Sequence, residues 1–327
     1  MKLWTSLNLA IFFVAASFCL AFGAGGGDRI IESTPSAINQ TPPTAQASKQ
    51  NSDEPIAGQE NPVEQIGTIE DVGSDLQWDD PDLPRIDRVV NLQTAQTMRR
   101  HTFLFTVDHR AWQTFTDHPL GDLLGFDVGA MKIAPGLRFG ISDCLEVGLL
   151  RLNGTLADYN VDTYDFDGKY HLLHQSSQRA DLAVRGGVTW YNEAGGPDRK
   201  AFFTQILVNR ELGGRVRIGS GLLHHTNSYN DTKVSSDQKH STAVPATVEV
   251  RILHWLALNG EVAATVNGYG SDYPAFATSA KLLTHRHTFS LIFSNTQYLG
   301  PGGIVTGSDR GAGGLIFGFT IARELAL

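Results

Sequence analysis

Residues Lys132 to Leu152 read KIAPGLRFGISDCLEVGLLRL, and the order of side chains in this stretch decides the fold. Ile133, Leu137, Phe139 and Ile141 alternate with Lys132, Ala134, Arg138 and Gly140. A period of two is the mark of a strand whose faces meet unlike surroundings. Ser142-Asp143 then turns the chain, and an apolar-rich segment follows at 144–153.

The same alternation recurs from His101 to the C-terminus. Phe103, Phe105 and Val107 oppose Thr102, Thr106 and Asp108; Phe166, Tyr170 and Leu172 oppose Asp165, Asp167, Lys169 and His171; Phe317, Phe319 and Ile321 oppose Gly318, Thr320 and Glu324. About twelve strands can be drawn: 101–108, 129–141, 144–153, 162–174, 181–192, 201–212, 215–225, 242–253, 256–266, 275–283, 286–295 and 313–325.

The connections between these segments choose the architecture. Long ones (109–128, 154–161, 193–200, 226–241, 267–274, 296–312) alternate with tighter ones (142–143, 175–180, 213–214, 254–255, 284–285). An outer-membrane barrel has this rhythm of external loops and periplasmic turns. An even strand count also returns both chain ends to the periplasmic side. A strand of about 10 residues tilted about 45° spans roughly 24 Å, close to the apolar band of such barrels. Trp190, Tyr191, Tyr269 and Tyr273 fall near the long-loop ends and Trp255 at a turn, where interfacial aromatics are expected. The expected fold is therefore all-β, an antiparallel up-and-down transmembrane β-barrel of about twelve strands over residues 96–327. A secreted soluble β-sandwich binding module also alternates, but its loops have no reason to keep a two-sided rhythm. Pro135 and Pro245 conflict with a closed barrel and are expected to mark bulges, or in the case of Pro245 the outer rim. Segment 201–212 has the least certain register, since Phe202 and Phe203 occupy both faces.

The N-terminal part reads differently. Lys2, the apolar run Leu9–Leu20 and small residues at Ala21 and Gly23 form a secretory signal over 1–23, with cleavage expected after Gly23. Cys144 would be the only cysteine left in the mature chain, which excludes an internal disulfide. Residues 24–95 are polar and proline-bearing, with about 13 acids against about 3 bases between Asp28 and Asp87. A disordered acidic periplasmic tail is expected, save for a local contact near Trp78 or Val89-Val90. Its role is that of a spacer, or of a tether or plug that meets a periplasmic partner.

Composition agrees with this division. The chain has 327 residues, a net charge of -8, 34 glycines and 18% charged residues. The acid excess sits in the tail, so the barrel region is near neutral, and nucleic acid is excluded as a partner. Low charge is what a wall facing outer-membrane lipid requires.

Leu123–Arg151 (LLGFDVGAMKIAPGLRFGISDCLEVGLLR), with His109-Arg110 before it and Phe166–Gln175 (FDGKYHLLHQ) after it, resembles the bacterial membrane-bound beta-barrel domain of unknown function, family 5777. His287–Gly307 and Gly313–Leu325 are similar to the closing strands of that family. The resemblance implies an outer-membrane barrel and brings no catalytic residue.

Candidate sites follow from strand parity. Inward-facing charges are expected at Asp108, Lys132, Arg138, Glu146, Asp165, Asp167, Lys169, Arg185, Arg217, Glu249, Arg251, Glu261 and Lys281. Mixed signs imply either a self-neutralising filling or a polar conduction path. Twelve strands fall between the eight that enclose only side chains and the sixteen that leave a channel, so a filled or narrow lumen passing small polar solutes is expected. His224, Thr226 and Asn227 imitate the His-x-Ser-Asn order of outer-membrane phospholipases, and parity puts His224 and Thr226 together on the apolar face. A polar pair opening an external loop explains them equally, and the expectation is no enzyme. His171 and His174 point opposite ways on a regular strand, whereas His285 and His287 share a face beside a tight turn; neither pair is expected to hold a metal, and no cofactor is expected.

Overall fold

The computed structural model describes residues 83–85, 87–114, 132–153, 161–176, 179–193, 198–226 and 240–327. The expected signal peptide, most of the acidic tail, Trp78 and Asn227 lie outside the described residues.

Twelve strands form: β1 (Thr102–Thr114), β2 (Lys132–Ser142), β3 (Leu145–Leu152), β4 (Val161–Leu173), β5 (Asp181–Glu193), β6 (Arg199–Leu212), β7 (Val216–Thr226), β8 (His240–Leu253), β9 (Leu256–Gly268), β10 (Ala275–Thr284), β11 (His287–Ser294) and β12 (Ile316–Ala326). Each pairs antiparallel with its neighbour in sequence, and β12 returns to β1 from Thr102↔Ala326 to Arg110↔Gly318, closing the barrel. Closure leaves no edge, so the ladder satisfies the backbone at lipid depth. The outer wall carries exposed Phe105, Leu137, Phe166, Ile206, Leu222 and Leu291, an apolar surface far too continuous for a water-soluble sandwich. In β6 the parity is regular: Phe202 is exposed and Phe203 is buried inside.

Both prolines lie within strands, and neither marks a bulge. The N–H of Ile133 donates to Asn153 Oδ1 (2.6 Å) and its carbonyl accepts from Asn153 N (3.2 Å), so alternation turns the nitrogen of Pro135 toward β3. There it stands in register between Gly136↔Leu150 and the Ile133–Asn153 bonds, at no bulge, and as a residue without an N–H it interrupts the β2–β3 pairing. Pro245 is neither at a bulge nor beyond the rim. It interrupts the β7–β8 ladder in register, between Ser220↔Ala246 and Leu223↔Ala243. The Ser220 hydroxyl donates to its carbonyl at 2.9 Å.

Trp255 and Tyr273 are exposed, and Trp190 packs against Tyr164. Tyr191 corrects the expected aromatic belt: it shares the inward parity of buried Thr189 and reaches Gly302 inside the barrel, where a Cβ would lie 2.8 Å from its hydroxyl.

Two non-strand segments occupy the interior. The expected boundary at 95/96 cuts through the first, whose residues from Leu83 onward belong to the folded unit. Val89 N donates to Leu92 O and Thr94 N to Asp87 O, both at 2.8 Å, and Arg88 bridges to Gln93, making a small hairpin. Both of its arms run to the short-turn end of the barrel, where the Arg85 N–H donates to Glu324 (2.6 Å) and the Thr97 hydroxyl to the Asp143 carbonyl (2.6 Å). The second segment is the β11–β12 connection, which folds inward from the long-loop end as helix α1 (Pro301–Thr306). Its Ile304 and Val305 meet Leu92 at the hairpin tip, together with Leu223, Ala243, Ala263 and Ala275.

Candidate functional site: the lumen and its hairpin

Every charge assigned to the inward face by parity is buried in the barrel. Mutual pairing organises most of them. Arg138 on β2 contacts Glu146 and Asp167, both at 2.7 Å, and Asp167 also pairs with Arg185 at 2.7 Å. Lys169 lies 2.9 Å from Glu146. On the opposite wall Lys281 and Arg217 face Glu249 at 3.3 and 3.7 Å, and Arg217 reaches Glu211 at 2.8 Å. Neighbouring strands hold these groups at fixed height, since Glu146↔Lys169 and Lys169↔Arg185 are cross-strand pairs.

The hairpin completes this network. Arg88 meets Asp108 at 2.6 Å, and Asp87 lies 3.5 Å from Arg138. Burial disfavours the Asp87 carboxylate, but Arg88, Arg138 and Lys169 outweigh that and hold it below the usual carboxylate value of 3.8. The Lys169 ammonium donates to the Thr94 carbonyl (3.1 Å) and that of Lys281 to the Arg88 carbonyl (3.1 Å). Glu261 on β9 does what no side chain of the hairpin could: it accepts the backbone N–H groups of Val90 (3.1 Å), Asn91 (2.9 Å) and Leu92 (2.9 Å). Three successive N–H groups converging on one carboxylate form an anion-binding nest. Glu146 likewise takes the Met98 N–H at 2.6 Å. A cavity of about 30 Å³ remains between the hairpin tip and α1, roughly the room of one water.

Several participants escaped the parity argument. Arg110 is buried beside Asp108 and donates to Asn91 Oδ1 (2.9 Å), because β1 runs past the expected end at residue 108. Asp87 and Arg88 stood in the supposed tail. Gln96 bridges Arg217 and Glu211 at 3.0 Å each, an amide with no sequence signal beyond its polarity.

Among the described residues, His224 and Thr226 of the phospholipase-like order bond to other partners. His224 and Thr226 share the outward face as expected, but the His224 ring pairs with the Thr242 hydroxyl at 2.8 Å. The Thr226 hydroxyl accepts from Phe202 N at 2.9 Å and donates to the Phe202 carbonyl at 3.3 Å. The inward histidine of this strand is His225, 3.2 Å from the Thr189 hydroxyl. His287 Nδ1 faces the His285 carbonyl, not its ring, at 3.2 Å. His171 and His174 overturn the expectation that they diverge: their rings lie side by side, tilted by 54°, with centroids 3.8 Å apart.

A closed antiparallel barrel with an apolar outer wall and a charged, self-filled interior defines the class: a membrane-bound β-barrel. The model of the membrane bound beta barrel domain (DUF5777) matches residues 86–325, and the chain belongs to that family. Its match begins inside the hairpin. Among curated proteins, none matches the chain. Similar solved structures include an outer-membrane channel of Pseudomonas putida F1, with 11% identity and a TM-score of 0.47 over 71% of this chain and 98% of that one. Another is the outer membrane protein Omp33 of Acinetobacter baumannii, with 9% identity and a TM-score of 0.39 over 69% of this chain and all of the other.

Proposed function

We propose that the protein is a barrel of the bacterial outer membrane whose lumen is a narrow passage for small polar solutes, held shut by its own N-terminal hairpin. The observation that carries this reading is the Glu261 nest. A wall carboxylate dedicated to three backbone donors of an inserted segment makes sense if that segment must be seated in a polar lumen. The wall chemistry suits water and small ions once the hairpin leaves, because every charge now paired with it is then free to line a path. Residues 1–23 direct the chain to the periplasm, with cleavage near Gly23. The acidic segment after them offers a periplasmic partner a handle on the hairpin. Outer-membrane lipid is the partner of the apolar wall, and the protein acts without catalysis or cofactor.

Heat-modifiable gel migration of the detergent-extracted protein tests the barrel in its membrane; recovery as a detergent-free soluble species overturns it. Planar-bilayer recording then compares the whole protein with a variant lacking residues 83–97. The expected result is rare, small openings in the first and a steady conductance in the second. A sealed bilayer with both proteins identifies a structural barrel instead of a passage.

A further inference from the structure

At the short-turn mouth, strand geometry brings together three residues that a regular strand keeps apart. The β4–β5 ladder shifts register between His171↔Ala183 and Leu173↔Leu182, so β4 carries one extra residue there. Such a bulge reverses parity beyond it. Leu172 and Leu173 therefore both face outward, exposed, and His174 returns to the inner side with His171. An i, i+3 spacing thus acts as i, i+2.

Asp181 opens β5 directly across the turn. One of its carboxylate oxygens lies 3.1 Å from His171 Nε2 and accepts the Gln175 N–H at 2.9 Å, which fixes its orientation. One ligand atom from each of His171, His174 and Asp181 lies within 4.8 Å of the others. Around a tetrahedral zinc with bonds of about 2.0–2.1 Å, donors stand about 3.3 Å apart. Only a small contraction separates this trio from that geometry. His171 and Asp181 are buried while His174 is exposed, and a cavity of about 340 Å³ opens beside them. That cavity gives an ion an approach and leaves room for a water as fourth ligand. Glu211 adds negative charge to its lining, and Arg85 is the opposing cation there.

We propose that His171, His174 and Asp181 form a binding site for a divalent transition-metal ion of the zinc type. Two imidazoles and one carboxylate favour such an ion over calcium or magnesium, which take oxygen ligands. The ion replaces the hydrogen bond now shared by His171 and Asp181. It also bears on the passage, since Gln175 bonds both the Glu211 N–H (2.7 Å) and the Glu211 carbonyl (2.8 Å), and Glu211 holds Gln96 of the hairpin arm. Metal binding at this turn therefore stiffens the mouth against which the hairpin rests.

Titration of the detergent-folded full chain with zinc chloride, followed by calorimetry, tests the site, and cobalt absorption reports its geometry. One saturable equivalent and the intense visible bands of tetrahedral cobalt are expected. His174→Ala, a change at an exposed position, should weaken binding at least about tenfold and abolish those bands. Asp181→Asn should act alike, and His285→Ala should change nothing. Absence of saturable binding to the heat-modifiable, folded protein overturns the proposal. So does unchanged affinity in His174→Ala, or a loss of affinity in His285→Ala that equals it.

Discussion

Two segments enter the barrel from opposite ends, and the wall meets them with different chemistry. The hairpin of residues 83–98 enters from the short-turn end and is held through Glu261, Arg138, Asp108 and Glu146, acidic and basic groups of the wall, besides the small apolar clusters that take Val89, Val90, Leu92, Ala95 and Met98. Helix α1 enters from the long-loop end and is held by Ile304 and Val305 in an apolar cluster, with the Thr265 hydroxyl on the Val305 carbonyl at 2.7 Å. Under the proposed function, the charged contacts make the hairpin the releasable closure and α1 the permanent one. Buried charge pairs break at high cost when one partner is removed but separate without loss when both return to water. An apolar contact gains nothing from water in any state.

The largest effect on this contrast is expected from Arg138→Met. It leaves Glu146, Asp167 and Asp87 without their shared cation, and should lower barrel stability by about 3–5 kcal/mol, read as the midpoint of denaturant unfolding in detergent. A variant as stable as the parent would show that the network is not self-neutralising. Glu261→Ala strips the acceptor from three buried N–H groups at about 1–3 kcal/mol for each donor left unsatisfied. Its expected signature is local: fast hydrogen exchange at Val90, Asn91 and Leu92 and raised conductance, with α1 unaffected. Ile304→Ala makes the reciprocal cut, with a cost of about 2–5 kcal/mol in α1 packing and protection retained at Val90.

Acid gives a smaller effect with a definite sign. The docked Asp87 carboxyl titrates below its ordinary value of 3.8, so the undocked hairpin takes up the proton first. Its contribution to docking is complete above that value and is lost as pH falls below it. Proteolysis of the hairpin across that range should rise in the parent and be flatter in Asp87→Asn. Thr226→Ala has the smallest expected effect, about 1 kcal/mol for the two exposed bonds of its hydroxyl to Phe202. Phospholipid hydrolysis above background by the parent, lost in this variant, would restore the enzyme reading.

The wall was open to reading and its contents were not. Strand parity depends on neighbours two residues apart, and lipid outside imposes one rule on every strand, so inward Lys132, Arg138 and Glu146 follow from alternation alone. The hairpin misled because a polar composition signals disorder only when the surroundings are water. RVVNLQTAQTM buries Val89, Val90, Leu92, Ala95 and Met98 on small apolar patches of the wall, and its polar groups meet an interior that supplies the partners a folded core normally withholds. His174 misled because a bulge is a property of the β4–β5 pairing and not of β4. Tyr191 misled because the connection it touches folds inward.

By itself, then, the sequence determined a wall of about twelve membrane strands, its faces, its loop rhythm and most of its inward charges, Arg110 excepted. Only the tertiary structure decided which carboxylate meets which cation, that Glu261 serves a backbone nest, and that the barrel begins in what reads as its tail. Alternation is written locally and is enforced by the solvent on each face. Pairing across a closed lumen depends on strand register and on an inserted segment, and both join residues far apart in the chain.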